Sequence, residues 1–135
     1  MEEIKIAYAG ELRCQATNNF GGMFITDAPK KYGGKEEAFS PTGALVASLG
    51  ACILTIMDLV AQKHNISIAG TTVDAAEEMA SKPSARIAKI FLTFHMARNI
   101  PEDKRPLLEN VVRACPVHNS LSSEIVYETK FVYPD

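Results

Sequence analysis

Three cysteines stand in the chain, Cys14, Cys52 and Cys115, and two of them sit in company that could do chemistry. In RACPVHNSL (113–121) a cysteine directly precedes a proline, and a histidine follows three positions on. Pro116 biases Cys115 away from α geometry and suits the first position of a new helical turn, so Cys115 falls where an N-cap would. A thiolate there faces free N–H groups and the positive end of the helix dipole, which lowers its pKa and favours the reactive form. Three other readings of the same fragment stay open: a metal site, a nucleophile with His118 as its base, and a plain junction whose cysteine fills space. Cys-x-x-His is half of a zinc pattern, and only Cys52 or His64 could extend it, so neither metal nor cofactor is expected.

Cys52 lies inside the longest apolar segment, SPTGALVASLGACILTIMDLVAQKH (40–64). Ser40 is a preferred N-cap, Pro41 suits the first helical position, and no breaker follows until Asn65, which predicts one long helix. From Ala44 to Met57 no side chain is charged and apolar residues cover every face, as in a helix buried all round. The uncharged stretch falls short of the roughly 20 residues of a membrane span, so no membrane partner is expected. About twelve residues into the helix, Cys52 is beyond the reach of the dipole. Full burial would favour its neutral thiol by about 3–5 pKa units, and one nearby cation would return about 1–3. A reactive Cys52 therefore requires both a partner charge and some access to solvent.

The helix must be positioned by something. At 1.5 Å per residue, about 24 residues span roughly 36 Å, against a radius of gyration near ~14 Å for a chain of this length. One chain can hardly cover such a helix, and Ala47, Ser48, Gly50 and Ala51 are small enough to admit another backbone. A homodimer sharing this helix is expected. Gly50 costs roughly 1 kcal/mol in a helix interior relative to Ala, and close packing supplies a reason for it.

Around the helix, residues 3–9, 12–17 and 23–28 read as strands, the first two alternating apolar and polar to form a hairpin. Cys14, on the second strand, is expected to pack. PKKYGGKEEAF (29–39) is a polar, glycine-bearing loop of a length more often functional than idle. Residues 66–80 and 86–97 read as a second hairpin, 101–114 as an amphipathic helix and 124–133 as a last strand. The order βββ-α-ββ-α-β predicts an α+β fold with antiparallel sheets, as a single domain over 1–135.

Composition narrows the function. Hydrophobic residues make up 47% and charged residues 22% of the 135, the balance of a soluble globular chain. With a net charge of −2 and alternating charges such as GGKEE and PEDKR, nucleic-acid binding is not expected. The acidic start MEEIKIAY lacks a basic, apolar leader, which predicts a cytoplasmic protein whose odd, widely spaced cysteines stay reduced apart from a transient redox pair.

FSPTGALVASLGACILTIMDLVAQKHNI, followed some fifty residues later by RACPVHNSL, resembles the OsmC/Ohr family of thiol-dependent peroxidases. The resemblance covers nearly the whole chain. It implies an intertwined homodimer with two long central helices side by side and an active site at the subunit interface. It further implies that Cys52 attacks an organic hydroperoxide to give a sulfenic acid, that Cys115 condenses with it to a disulfide, and that a dithiol reductant clears the bond. The family's thiolate-stabilising arginine is best matched by Arg13 in GELRCQAT. The family often carries an acidic residue nine or ten positions before its first cysteine; here Thr42 and Gly43 stand there, and Glu36 or Glu37 could substitute. The competing function is a non-catalytic dimer that binds a hydrophobic small molecule in its interface cleft.

Overall fold

The computed structural model describes residues 1–134, and the chain packs as two compact units, Met1–Leu45 and the remainder from Val46 onward. In the first unit, β1 (Ile4–Gly10), β2 (Arg13–Asn18) and β3 (Met23–Asp27) form an antiparallel sheet in the order β1-β2-β3. The observed ends lie within one residue of those expected from alternation. Glu11 and Leu12 link β1 to β2 with φ of 55° and 64°, the paired left-handed residues that a tight hairpin between right-twisted strands requires. Beyond β3 the glycine-bearing loop folds back, and Phe39 accepts a backbone hydrogen bond from Asp27 N at 2.9 Å. The loop needs Gly34, because a Cβ there would collide with the carbonyl of Ala28.

The long helix α1 (Pro41–Lys63) begins as expected, with Ser40 Oγ accepting from Gly43 N at 3.0 Å. It ends at Asn65, whose φ of 56° lets Ile66 N reach back to Ala61 O at 3.0 Å. By length and composition α1 could cross a membrane, with a mean hydropathy of 2.2 over its most apolar window.

In the second unit, β4 (Thr72–Ala80), β5 (Arg86–His95) and β6 (Val126–Val132) form a sheet in the order β4-β5-β6. β4 begins at Thr72 rather than Ile66, since 66–71 turn through Gly70 at φ 91°. β5 pairs with β4 antiparallel but with β6 parallel, so this sheet is mixed where an antiparallel one was expected. The reason is the helical crossover between β5 and β6, which lets the chain re-enter in the same direction. That crossover is not the single helix expected over 101–114. It breaks into a 3₁₀ turn (Glu102–Lys104), α2 (Arg105–Glu109), a second 3₁₀ turn (Asn110–Ala114) and α3 (Pro116–Ser120). Pro106 and Pro116 lack the N–H that a continuous helix would use and are tolerated only in first turns.

The core joins Val46, Leu49, Ile53, Met57 and Ala61 of α1 to Ile90, Leu92 and Phe94 of β5 and to Leu108, Val111 and Cys115 of the crossover. Each fully buried Leu or Ile contributes about 1.5–3 kcal/mol relative to exposure. The expectation of a helix buried all round does not hold within one chain. The buried residues follow i, i+3/i+4 spacing on one face, while Leu45, Ala47, Ser48, Ala51, Thr55 and Leu59 are exposed. Gly50 belongs to the inner face: a Cβ there would lie 3.2 Å from Val73 Cγ1, so this glycine fits α1 to its own sheet, not to another helix.

Candidate active site: a thiol pair and a clamped arginine

Cys115 adopts φ −71° and ψ 121°, the extended backbone that Pro116 imposes, and caps α3 as its sequence context predicts. Its Sγ accepts from His118 N at 3.5 Å, and Asn119 N donates to its carbonyl at 3.0 Å. Asn119 Nδ2 also donates to Arg113 O at 3.0 Å, tying α3 to the turn before it. At the end of the last strand, the Tyr133 hydroxyl donates to Glu109 Oε2 at 2.7 Å and the Arg105 guanidinium lies 4.1 Å from the Tyr133 ring centre. These contacts hold the crossover that carries Cys115 against β6.

The capped thiol is not, however, the activated one. Cys115 is fully buried, and its pKa is raised: loss of solvent outweighs the N–H groups of His118 and Val117, and a hydrogen bond with the Cys52 side chain raises it further. The dipole argument for an acidic Cys115 fails because a five-residue helix supplies little field, while burial acts at full strength. Cys52, half-buried on α1 and packed against the core that contains Cys115, completes the pair. Cys52 and Cys115 are therefore neighbours in one core, and all three cysteines are free.

Beside the pair stands a group that the strand pattern alone did not flag. The hydroxyl of Tyr127, on β6, is buried and has no hydrogen-bond partner among the described residues. Its ring packs on that of His118 with centres 4.6 Å apart. Burial, then the proximity of Cys115, raises the pKa of the phenol. An open pocket of about 450 Å³ runs along this wall, lined by Glu109, Arg113, His118, Tyr127 and Phe131 among others. His118 is thus a ring in a stack and a backbone donor to Cys115, with its Nδ1 3.5 Å from Asn119 Oδ1. Among the described residues, no group of three or more His, Cys, Asp or Glu is gathered so as to hold a metal ion.

In the first unit Arg13 is held by two carboxylates. Its Nη1 lies 2.9 Å from Glu37 Oε1 and 3.7 Å from Asp27 Oδ2. Of the two acidic residues in the loop, Glu37 is the one paired with Arg13, whereas Glu36 accepts from Lys30 N at 2.9 Å and Thr42 lies 3.4 Å from Ser40 Oγ. Asp27 was missed at the level of sequence. It sits directly across from Arg13 in the β2–β3 register, and its buried carboxylate accepts from Glu37 N at 3.1 Å and Lys35 N at 3.4 Å. Those donors, Glu37 N–H foremost, together with Arg13 hold its pKa below the ordinary carboxylate value. The available signal was an acid closing the apolar strand MFITD, where a buried charge demands a partner. Cys14 faces Tyr8 and Thr26 across its sheet, consistent with packing.

The model of the OsmC-like protein family matches residues 33–130, and the chain belongs to that family. No curated protein sequence matches it. Among solved structures, a candidate osmotic-stress-induced and detoxification-response protein from Psychrobacter arcticus is 33% identical, covering 95% of this chain and 93% of its own, with a TM-score of 0.90. An organic hydroperoxide resistance protein OsmC from Legionella pneumophila is 16% identical, covering 98% and 96% with a TM-score of 0.78. Another organic hydroperoxide resistance protein, from Elizabethkingia anophelis, is 18% identical, covering 98% and 96% with a TM-score of 0.77. The last two share the fold.

Proposed function

We propose that the protein is a cytoplasmic, homodimeric thiol peroxidase that reduces organic hydroperoxides in oxidative-stress defence. The observation that carries this reading is the packing of Cys52, half-open to solvent, against the core that holds Cys115, buried and kept protonated. The Cys52 thiolate attacks the outer peroxide oxygen; the O–O bond breaks, the alkoxide takes a proton to leave as alcohol, and Cys52 becomes a sulfenic acid. Cys115 then displaces hydroxide from that sulfur, giving a disulfide and water, and a dithiol reductant returns both thiols at the expense of its own oxidation. Arg13, held by Glu37 and Asp27, is the cation assigned to the thiolate, in keeping with the family resemblance and with its two-point fixation. A second copy of the chain would cover the exposed stripe Leu45, Ala47, Ala51, Thr55 and Leu59 on α1.

Treatment with cumene hydroperoxide followed by thiol titration tests the reading. Two of the three thiols should disappear, with no loss in a Cys52→Ser variant. An unchanged titre in the native protein, combined with binding of apolar ligands that survives Cys52→Ser, would instead establish the non-catalytic binding dimer.

A further inference from the structure

The resolving half of the cycle poses an electrostatic difficulty. Cys115 must give up its proton to attack the Cys52 sulfenic acid, yet it is fully buried, and a buried anion without donors is strongly disfavoured. In the reduced state Cys115 is a neutral thiol beside Cys52 and needs little from its neighbours. Once deprotonated it becomes an acceptor. The backbone N–H groups of His118, 3.5 Å from Sγ, and of Val117 already face it, and they do not offset its burial. The groups facing this sulfur are Cys52 on α1, His118 on α3 and Tyr127 on β6, with Glu109 and Arg113 further along the pocket wall.

Of these, one carries an unspent donor in the interior. The Tyr127 hydroxyl is buried without a partner among the described residues, its ring packed at 4.6 Å on the residue whose N–H already bonds Cys115. A buried hydroxyl without a hydrogen bond is costly, so its retention calls for a reason. Resting on the peroxidase reading, we propose that the Tyr127 hydroxyl is the hydrogen-bond donor held for the Cys115 sulfur as it turns into a thiolate during disulfide formation. In that step the S–O bond of the Cys52 sulfenic acid breaks, the S–S bond forms, and the Cys115 proton leaves with the hydroxide as water. The phenol keeps its own proton throughout. When the disulfide is later reduced, the same hydroxyl supports Cys115 as the departing thiolate.

The test compares native protein with Tyr127→Phe, which keeps the ring and its tilted packing against His118 and removes only the hydroxyl. In a Cys52→Ser background, where no peroxide chemistry can occur, the Cys115 titration is followed through the Cβ resonance of isotope-labelled cysteine, assigned by its absence in Cys115→Ser. Tyr127→Phe should raise the midpoint by about one pH unit, since a hydrogen bond to a charged group contributes about 1.5–3 kcal/mol. With Cys52 intact, the sulfenic acid trapped by dimedone should persist about tenfold longer in Tyr127→Phe. An unmoved midpoint overturns the role of Tyr127, whatever the peroxide data show. A shifted midpoint in a protein whose Cys52 never forms a sulfenic acid upholds the donor and removes the peroxidase reading instead.

Discussion

Cys115, capping α3, lies close enough to Cys52 of α1 for that side chain to raise its pKa, although the two come from separate motifs, one on α1 and the other at the end of the crossover. The contact makes the expected oxidation product specific. After exposure to hydroperoxide, peptide mapping should recover Cys52 joined to Cys115 and leave Cys14 free. By the loop-closure relation, a bridge of this span stabilises the oxidised form by up to about 4 kcal/mol, less any strain. Denaturant unfolding of oxidised against reduced protein reads that difference, and a bridge through Cys14 would contradict the assignment.

Alkaline stability should expose the state of Cys115. Its ordinary thiol value is 9.0, and burial raises it in the fold, so above pH 9 the unfolded chain releases this proton before the folded one does. The unfolded state then binds fewer protons. Stability contributed at neutral pH is therefore lost as pH rises from about 9 toward the folded-state value. Thermal midpoints measured across this range should fall more steeply for the native protein than for Cys115→Ala, which has no group to titrate there.

The arginine clamp makes the opposite prediction at low pH. Asp27 is held below its ordinary value of 3.8, first by the N–H of Glu37, so its stabilising charge is present above that value and lost as pH falls through the folded-state one. Asp27→Asn should reduce the acid sensitivity at the expense of a lower melting temperature at neutral pH. Glu37→Gln should affect stability less, because Glu37 is largely exposed and such pairs contribute about 0–1 kcal/mol. Under the proposed mechanism, Arg13→Ala should slow Cys52 oxidation severalfold, because the guanidinium assigned to its thiolate is withdrawn. Stopped-flow measurement of hydroperoxide consumption checks it.

What local pattern encodes was legible beforehand: the three strands of the first sheet, the Ser40 cap and the Cys115 cap all depend on residues within a few positions of one another. Properties set by distant partners were not. The parallel pairing of β6 on β5 depends on the route of the crossover, and Asp27 is notable only because Arg13 lies across the register. Alternation does place Ile125, Tyr127, Thr129, Phe131 and Tyr133 on one face, but not which hydroxyl lacks a partner. Cys115 shows the limit most clearly: its position followed from Pro116, while its protonation is set by burial that no neighbour in sequence reveals.

The two faces of α1 yield the last prediction. A helix apolar on every side gives no clue to which stripe meets its own core, and the small residues Gly50 and Ala51 look equivalent in sequence. In the structure they point apart: Gly50 is buried with Val73 Cγ1 3.2 Å from where its Cβ would be, and Ala51 is exposed. Gly50→Ala gains helix propensity worth about 1 kcal/mol but forces β4 to give way, and overpacking of this kind costs about 1–3 kcal/mol. It should lower stability modestly and leave association unchanged. Ala51→Arg places a charge on the outer stripe, where one chain alone has room for it but a second copy does not. If the native protein is the dimer proposed, sedimentation should show Ala51→Arg largely monomeric with its fold intact by circular dichroism, and Gly50→Ala associating as the native protein does. If Ala51→Arg remains dimeric, α1 is not the surface through which the copies meet.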